Sequence, residues 1–175
     1  MRVRNLHRRH IAAPPERVGA LVDGLASPDG AFWPAAWPPL RLDRPLGVGA
    51  AGGHGPVRYT VTAYTPGRHV RFRFTAPRGF DGFHEFTAEP AADGTVLRHL
   101  LAIHARGPAL LTWPLVFRPL HDALVEDGLD RAERTLTGTV RTPARWSPCV
   151  RLLRAVMARI GPGSPSPLGT ETGRP

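Results

Sequence analysis

Lysine and glutamine are absent from the 175 residues, so all 23 basic side chains are arginine. With the many Ala, Gly and Pro residues, this bias is typical of a GC-rich genome. The single cysteine, Cys149, excludes an internal disulfide framework and a thiolate metal site. No apolar run approaches the roughly 18 residues that span a bilayer. The basic N-terminus has no apolar segment typical of a signal peptide, so we expect a soluble, cytoplasmic protein.

The net charge of +9 is distributed unevenly along the chain. Up to Gly138, 17 arginines oppose 13 acidic residues, whereas from Thr139 onward six arginines oppose Glu171 alone. Proteins that bind nucleic acid usually carry a basic face interleaved with aromatic residues, or a helix-turn-helix pattern. Neither pattern is present in the sequence, so we expect no nucleic-acid partner.

The first third of the chain predicts short elements separated by proline and glycine. Residues 3–12 predict a strand, and residues 15–25 predict an amphipathic helix with proline at its first position, where a missing N–H is tolerated. An aromatic, proline-rich stretch follows at 32–39, and it predicts a second short helix or a packed lid. Residues 40–46 then predict a strand, and residues 47–55 a glycine-rich loop.

The middle of the chain has the period-two pattern of strands joined by hairpin turns. We predict an antiparallel meander of residues 57–65, 69–76, 82–89 and 95–106. Closing the last turn places Phe86 opposite His99 and His84 opposite Leu101. All three hairpins then agree on one apolar face and one polar face. The predicted apolar face consists of Val57, Tyr59, Val61, Val70, Phe72, Phe74, His84, Phe86, Ala88, Leu97, His99, Leu101 and Ile103.

Helical periodicity returns after Pro108 and continues to about residue 136. Pro114 and Pro119 should kink this helix or separate its first turns. Carboxylates at 122, 126 and 130, with arginines four residues away, predict a solvated face with ion pairs such as Arg118–Asp122. A last, basic amphipathic helix is predicted over 148–160, after the N-cap residue Ser147.

The apolar face of the meander must be covered, and the long helix is the main element available to cover it. We therefore predict an α+β fold in which a curved antiparallel sheet wraps around a long C-terminal helix and encloses a cavity. Residues 1–138 would form this domain, residues 139–162 a basic helical extension, and residues 163–175 a disordered tail.

The chain resembles the SRPBCC superfamily, also called START-like or polyketide cyclase/dehydrase-like proteins. The resemblance begins at Ile11-Ala12-Ala13-Pro14-Pro15-Glu16-Arg17-Val18, and continues through Gly82-Phe83-His84-Glu85-Phe86 and the turn Asp93-Gly94-Thr95 to about residue 136. It implies a helix-grip fold with a cavity between sheet and long helix. The superfamily includes lipid and hormone carriers and aromatase/cyclases, and it has no universal catalytic motif. No catalytic residue is therefore carried over to this chain.

A few polar groups on an otherwise apolar wall are typical of ligand pockets. The predicted ligand contacts are Tyr59, Phe72, Phe74, His84, Phe86, His99, Leu101, Ile103 and His121. His84 and His99 are interpreted first as interior histidines with satisfied hydrogen bonds, next as ligand contacts, and last as an acid/base pair. With His121 they lack the spacing of a metal site, so we expect neither metal nor cofactor.

Three other features near the predicted pocket stay open at this stage. His54, in a glycine-rich segment, suits a turn or the rim of the pocket better than catalysis. Trp33 and Trp37 could gate the pocket or pack in the core beneath a loop. Gly128, in the middle of the long helix, leaves room either for a ligand or for close packing on the sheet.

Three functions are compatible with these features. The first is binding of a small hydrophobic or aromatic molecule, and the second is an aromatase/cyclase-like enzyme that uses a cavity histidine. The third is an interaction protein that docks through its basic C-terminal helix. That helix could also pack on the domain, on a partner chain or on an anionic membrane surface, of which we expect the membrane least. Monomer and homodimer both remain open.

Overall fold

Seven strands form one antiparallel sheet in the computed structural model, which describes residues 1–160. The predicted disorder of residues 163–175 lies outside the described residues. The strands are β1 (Arg2–Ile11), β2 (Arg41–Leu42), β3 (Ala51–His54), β4 (Val57–Thr65), β5 (His69–Ala76), β6 (Phe80–Ala91) and β7 (Gly94–Ala105). Their order across the sheet is β1-β7-β6-β5-β4-β3-β2. With the long C-terminal helix, the curved sheet forms the predicted α+β helix-grip fold.

The predicted meander and its registers are confirmed. His84 lies opposite Leu101, and Phe86 lies opposite His99. On the other side of β6, His84 pairs with Phe72. Bulges in β4 at Arg58/Tyr59 and at Val61/Ala63 shift its register against β5, yet Tyr59 still shares the inner face with Phe74. Alternating apolar residues fix these registers, because a slip of one residue would expose the whole apolar set.

The segment before the meander differs from the prediction. The strand expected over 40–46 is limited to Arg41–Leu42, and the loop expected over 47–55 contains β3. Gly52 and Gly53 hide β3 because residues without side chains show no alternation. A Cβ atom on Gly52 would lie 2.0 Å from the backbone oxygen of Arg41, so β2 and β3 approach too closely for a side chain. Residues 32–39 form turns instead of the helix that was one of two predictions for them.

Helix α1 (Pro15–Asp23) packs closely on the turn between β4 and β5. A Cβ atom on Gly19 would lie 1.9 Å from the backbone oxygen of Gly67. The last residue of the helix, Asp23, accepts hydrogen bonds from the Gly67 N–H at 2.9 Å and from the Tyr64 hydroxyl at 3.0 Å. The first helix is thereby held against one end of the sheet.

The prolines divide the long helix, as predicted. A single turn, α2 (Ala109–Thr112), leads into a π-helical turn (Trp113–Phe117), and α3 (Arg118–Thr137) follows. Pro114 and Pro119 cannot donate the backbone hydrogen bonds that a regular helix needs, which explains the widened turn between them. Gly138 ends α3 with φ of 81°, a left-handed conformation that favours glycine.

Residues 1–145 form one compact unit, and a second begins at Trp146. The predicted boundaries of the domain and its extension stay predictions. In the second unit, α4 (Pro148–Ile160) begins after Ser147, whose hydroxyl accepts the Val150 N–H at 3.2 Å. Within residues 1–160, no helix is both long and apolar enough to cross a bilayer.

The core of the first unit contains two apolar clusters. The larger one joins α1, the sheet and the second half of α3, and includes Phe32, Phe72 and Phe86. The smaller one surrounds Trp113 at the start of the C-terminal helices. Gly128 packs on Phe32 of the larger cluster, because a Cβ atom there would lie 3.4 Å from the Phe32 ring. The glycine thus allows α3 to approach the aromatic segment.

Candidate ligand-binding site

A continuous row of polar rings lies on the inner side of the sheet and continues to α3. We call it the inner row, and it consists of His54, Tyr59, His84, His99 and His121. The centroids of successive rings are 6.0 Å apart between His54 and Tyr59, 5.0 Å between Tyr59 and His84, 5.5 Å between His84 and His99, and 5.0 Å between His99 and His121. Five different elements therefore bring these side chains together: β3, β4, β6, β7 and α3.

Aromatic side chains contact the inner row along its length. The His84 ring stacks on Phe72 at 4.9 Å and on Phe74 at 5.0 Å. His99 contacts Phe86 at 4.5 Å, and His121 contacts Trp113 at 5.8 Å. The polar row is thus enclosed by flat apolar surfaces, which are suited to an aromatic molecule.

Each member of the inner row carries one buried polar atom without a hydrogen-bond partner among residues 1–160. We call these five the open polar atoms. They are His54 Nδ1, the Tyr59 hydroxyl, His84 Nε2, His99 Nδ1 and His121 Nε2. One hydrogen bond connects the row internally, between His99 Nε2 and His84 Nδ1 at 3.3 Å. A buried polar group without a partner costs about 1–3 kcal/mol, which makes these five rings the candidate ligand-binding site.

Burial keeps the inner row neutral. It lowers the pKa of His84 and of His99 well below the usual histidine value, and the neighbouring His121 adds to the effect in both cases. It lowers the pKa of His54 to about 4 and raises the pKa of the Tyr59 hydroxyl. A neutral imidazole offers one donor and one acceptor. The row can therefore bind uncharged oxygen-bearing groups without an ion.

One end of the inner row meets a charged group on α3. His121 Nδ1 lies 3.3 Å from Asp122 Oδ1, which also accepts from His7 at 3.2 Å and from the Asn5 amide at 2.8 Å. Burial opposes ionisation of Asp122, but these bonds together hold its pKa well below the usual range. Burial likewise lowers the pKa of His121, partly offset by Asp122. A neutral imidazole thus lies beside a carboxylate.

The carboxylate row of α3 packs on β1, and its side chains are only 2–35% exposed, so the face predicted to be solvated is largely covered. Arg9 Nη1 lies 2.6 Å from Glu133, and Arg9 Nη2 lies 2.8 Å from Asp130 and 3.1 Å from Glu126. The predicted pair Arg118–Asp122 is present, at 3.7 Å. The charged residues that join β1 to α3 are called the ion cluster, which consists of His7, Arg9, Asp122, Glu126, Asp130 and Glu133. It exists because β1 presents polar side chains to the helix.

His7 is the cationic histidine of the ion cluster. Its Nδ1 lies 2.7 Å from Glu126, and its Nε2 lies 3.2 Å from Asp122. Burial alone would lower the pKa of His7, but the two carboxylates outweigh it and raise the pKa to about 9. His7 therefore carries a positive charge at neutral pH and neutralises part of the acidic row.

His7, His121 and Asp122 could also hold a metal ion, since one ligand atom of each lies within 4.8 Å of the others. Two imidazoles and a carboxylate are a ligand set that zinc accepts. In this structure, however, the same atoms are already joined by hydrogen bonds, with Asp122 Oδ1 as the shared acceptor. The three residues thus form a hydrogen-bonded group centred on Asp122.

The structure brings together some of the sequence-predicted site residues and separates others. Tyr59, Phe72, Phe74, His84, His99 and His121 lie on or against the inner row. Phe86 contacts His99 but also packs on Phe32 in the larger cluster, at 5.1 Å. Leu101 and Ile103 lie in the smaller cluster. The role of all nine residues as ligand contacts stays a prediction.

Sequence reasoning did not place three side chains next to the row: His7, Trp113 and Asp122. A signal existed for His7, because pairing β1 with β7 places it directly opposite His99. Trp33 contacts His54 edge to face at 5.0 Å, which places that tryptophan at one end of the row. Trp37 is buried and donates to Asp127 at 2.7 Å, so it packs in the core on α3.

Known proteins share this fold at low sequence identity. CalU16 from Micromonospora echinospora superposes with a TM-score of 0.58 at 16% identity, covering 90% of this chain and 84% of its own. The di-domain ARO/CYC StfQ from the steffimycin biosynthetic pathway gives 0.60 at 12%, with 79% of this chain and 51% of that one covered. Truncated norcoclaurine synthase from Thalictrum flavum gives 0.58 at 15%, with 77% and 93% covered. At these identities the likeness shows the fold alone.

No curated protein matches the sequence. A family model does match it, over residues 6–137, and its description is "Polyketide cyclase / dehydrase and lipid transport". The matched residues include every strand except the first residues of β1, and all of α1, α2 and α3. The chain therefore belongs to the polyketide cyclase/dehydrase and lipid transport family, within the SRPBCC superfamily.

Proposed function

We propose that this protein binds a small, uncharged aromatic molecule that carries carbonyl or hydroxyl oxygens. The observation that supports the proposal is the set of five open polar atoms on neighbouring rings inside the domain. A ligand with two or more oxygens would supply the missing hydrogen-bond partners. The aromatic side chains along the row, Phe74, Phe86 and Trp113, would contact its apolar surface.

The protonation state of the inner row favours a neutral ligand over an anion. Burial depresses the pKa of each histidine in the row, so the row carries no positive charge to offset a buried carboxylate or phosphate. Hydroxyl and carbonyl oxygens need only neutral donors and acceptors. Hydrogen bonds of this kind would orient the ligand, and aromatic contacts would contribute most of its affinity.

Isothermal titration calorimetry with two probes tests the proposal. 2-Naphthol and naphthalene share the aromatic surface, but only 2-naphthol has an oxygen. We expect 2-naphthol to bind at least about tenfold more tightly, which corresponds to the about 1.4 kcal/mol of one net hydrogen bond. The substitution His99→Leu should reduce this preference, because it removes two of the polar atoms of the row.

His104→Leu is the matched control, because His104 is exposed on the same strand, β7. It should leave the preference for 2-naphthol unchanged. Failure of both probes to bind would overturn the proposal. Equal affinity for the two probes would also overturn it, because the open polar atoms would then take no part in recognition.

A further inference from the structure

We infer a second activity for this site: His121 acts as a general base that removes a proton from an activated C–H of the bound molecule, with Asp122 as its positioning residue. The inference rests on the proposed binding site. It differs from the acid/base pair expected from the sequence, His84 and His99, because that pair has no carboxylate beside it and His121 has one.

The position of the proton on His121 follows from its partner. An ionised carboxylate only accepts hydrogen bonds, so the 3.3 Å contact with Asp122 Oδ1 requires the proton to be on His121 Nδ1. In the neutral ring, the lone pair is then on Nε2. That atom is buried and has no partner within the described part of the chain. A base must present such a lone pair toward its substrate.

The neighbouring charges stabilise the product of proton transfer. When Nε2 takes up a proton, Asp122 faces an imidazolium and the two form an ion pair. His7, which is cationic, lies on the other side of Asp122 and moderates this stabilisation. The titratable groups around His121 are Asp122 on α3, His7 on β1, His99 on β7, and, further along the row, His84 and His54.

The electron pair of the broken C–H bond also needs a stabilising group. In a substrate with an adjacent carbonyl, it moves to the oxygen and gives an enolate. In their neutral forms, His84 and His99 each carry one N–H. Whichever ring donates the hydrogen bond between them, the N–H of the other ring remains as an open donor. When His84 donates the bond between them, the open donor is His99 Nδ1, and the His99 ring lies 5.0 Å from His121, within reach of a ligand on the base. The proton returns to the enolate at carbon or is released to solvent.

The probe 5-nitrobenzisoxazole tests the activity without knowledge of the natural ligand. A base removes its single ring C–H proton, the N–O bond breaks, and a coloured cyanonitrophenolate is released, so no oxidant or second substrate is needed. We expect the protein to accelerate this elimination about 100-fold or more over buffer. His121→Gln should reduce the rate to background, whereas His104→Gln, at an exposed position, should retain it.

The pH profile and a spectroscopic measurement separate catalysis from a structural role. Since burial lowers the pKa of His121, the rate should be constant above about pH 6.5 and should fall at lower pH, as the base becomes protonated. In NMR spectra that distinguish the two ring nitrogens, His121 should carry its proton on Nδ1. Asp122→Asn should weaken this tautomer preference and lower the rate by at least tenfold, with probe affinity unchanged.

The outcomes distinguish this inference from the binding proposal. If calorimetry detects no binding of the probe or of 2-naphthol, both proposals fail. If the probe binds but reacts no faster than in buffer, or if His121→Gln reacts as fast as the wild type, only the activity is overturned. A proton on Nε2 of His121 in the wild-type spectrum would likewise overturn the assignment of the base.

Discussion

The inner row and the ion cluster are neighbours that satisfy their polar groups in opposite ways. In the ion cluster, Arg9 and His7 contact four carboxylates, and every charge has a counter-charge within 3.2 Å. In the inner row, five polar atoms have no partner among residues 1–160. The two groups meet where His121 contacts Asp122, at 3.3 Å. The ion pairs of one group join the helix to the sheet, while the other group is the candidate ligand-binding site.

Histidine shows the difference most directly. His7 lies between two carboxylates, and its pKa rises to about 9 although burial opposes the charge. His99 lies directly opposite His7 in the β1–β7 ladder, yet burial without a carboxylate lowers its pKa. Two imidazoles 6.4 Å apart therefore differ in charge at neutral pH. Partners, and not burial alone, decide which histidine is a cation.

The largest effect is expected from breaking the ion cluster at Arg9. Glu133 is only 2% exposed, and Arg9→Met would leave its carboxylate without a charged partner. A buried charge that loses its partner destabilises a protein by about 3–5 kcal/mol, and the methionine keeps most of the packing of the arginine stem. The free energy of unfolding, measured by urea denaturation, should fall by about 3 kcal/mol.

Arg73→Met is the control for this effect, because the Arg73–Asp81 pair is exposed on both sides. Its substitution should change stability by less than about 1 kcal/mol. Adding Glu133→Gln to Arg9→Met should recover part of the loss, since it removes the uncompensated charge. Similar losses for Arg9→Met and Arg73→Met would show that the ion cluster has no special role in stability.

A smaller effect with opposite signs is expected from the two tyrosines of β4. The Tyr59 hydroxyl is buried without a partner in the described chain, whereas the Tyr64 hydroxyl donates to Asp23 at 3.0 Å. Without ligand, Tyr59→Phe should raise the free energy of unfolding by about 1 kcal/mol, and Tyr64→Phe should lower it by about 1 kcal/mol. Urea denaturation of both variants measures the difference.

The same two variants relate stability to function. Tyr59→Phe should weaken 2-naphthol binding while it stabilises the free protein, because the hydroxyl is retained for the ligand and not for the fold. Tyr64→Phe should leave binding unchanged. A loss of stability in both variants would mean that the Tyr59 hydroxyl has a partner in solution, and the inner row would then resemble an ordinary core.

The inner row was largely predictable from the sequence, and the ion cluster was not. Tyr59, His84 and His99 lie on consecutive hairpins, so local turns and alternation fixed their common face. The ion cluster depends on the pairing of β1 with β7, the first and last strands. No local turn specifies that pairing, and the polar inward residues of β1 give no apolar alternation.

Glycines and carboxylates in other segments show the same limit of prediction from the sequence. Gly52 and Gly53 concealed β3, because an alternation needs side chains. Asp122 and Glu126 have the spacing of a solvated helix face, and only the position of β1 shows that they are covered. Periodicity therefore predicts well where one element meets water or an apolar core. It does not predict where two polar surfaces pack on each other.

The most direct test of the comparison is the pH dependence of stability. His7 has a folded pKa of about 9, above its unfolded value of about 6.5, so its contribution is complete below pH 6.5 and is lost as pH rises to 9. The inner row contributes a pH dependence of stability with the opposite sign. Its folded pKa values are lowered, so its neutral histidines contribute above about pH 6.5, and stability is lost as pH falls below that value.

Urea midpoints measured from pH 4 to pH 9 separate the two groups. His7→Gln should remove part of the stability loss between pH 6.5 and 9 and leave the acid side unchanged. His99→Leu should reduce the loss below pH 6.5 and leave the alkaline side unchanged. If both variants changed the same side of the profile, the two imidazoles would titrate alike in spite of their different partners. Opposite sides would establish that the carboxylates of α3 are what separates a structural histidine from one available to a ligand.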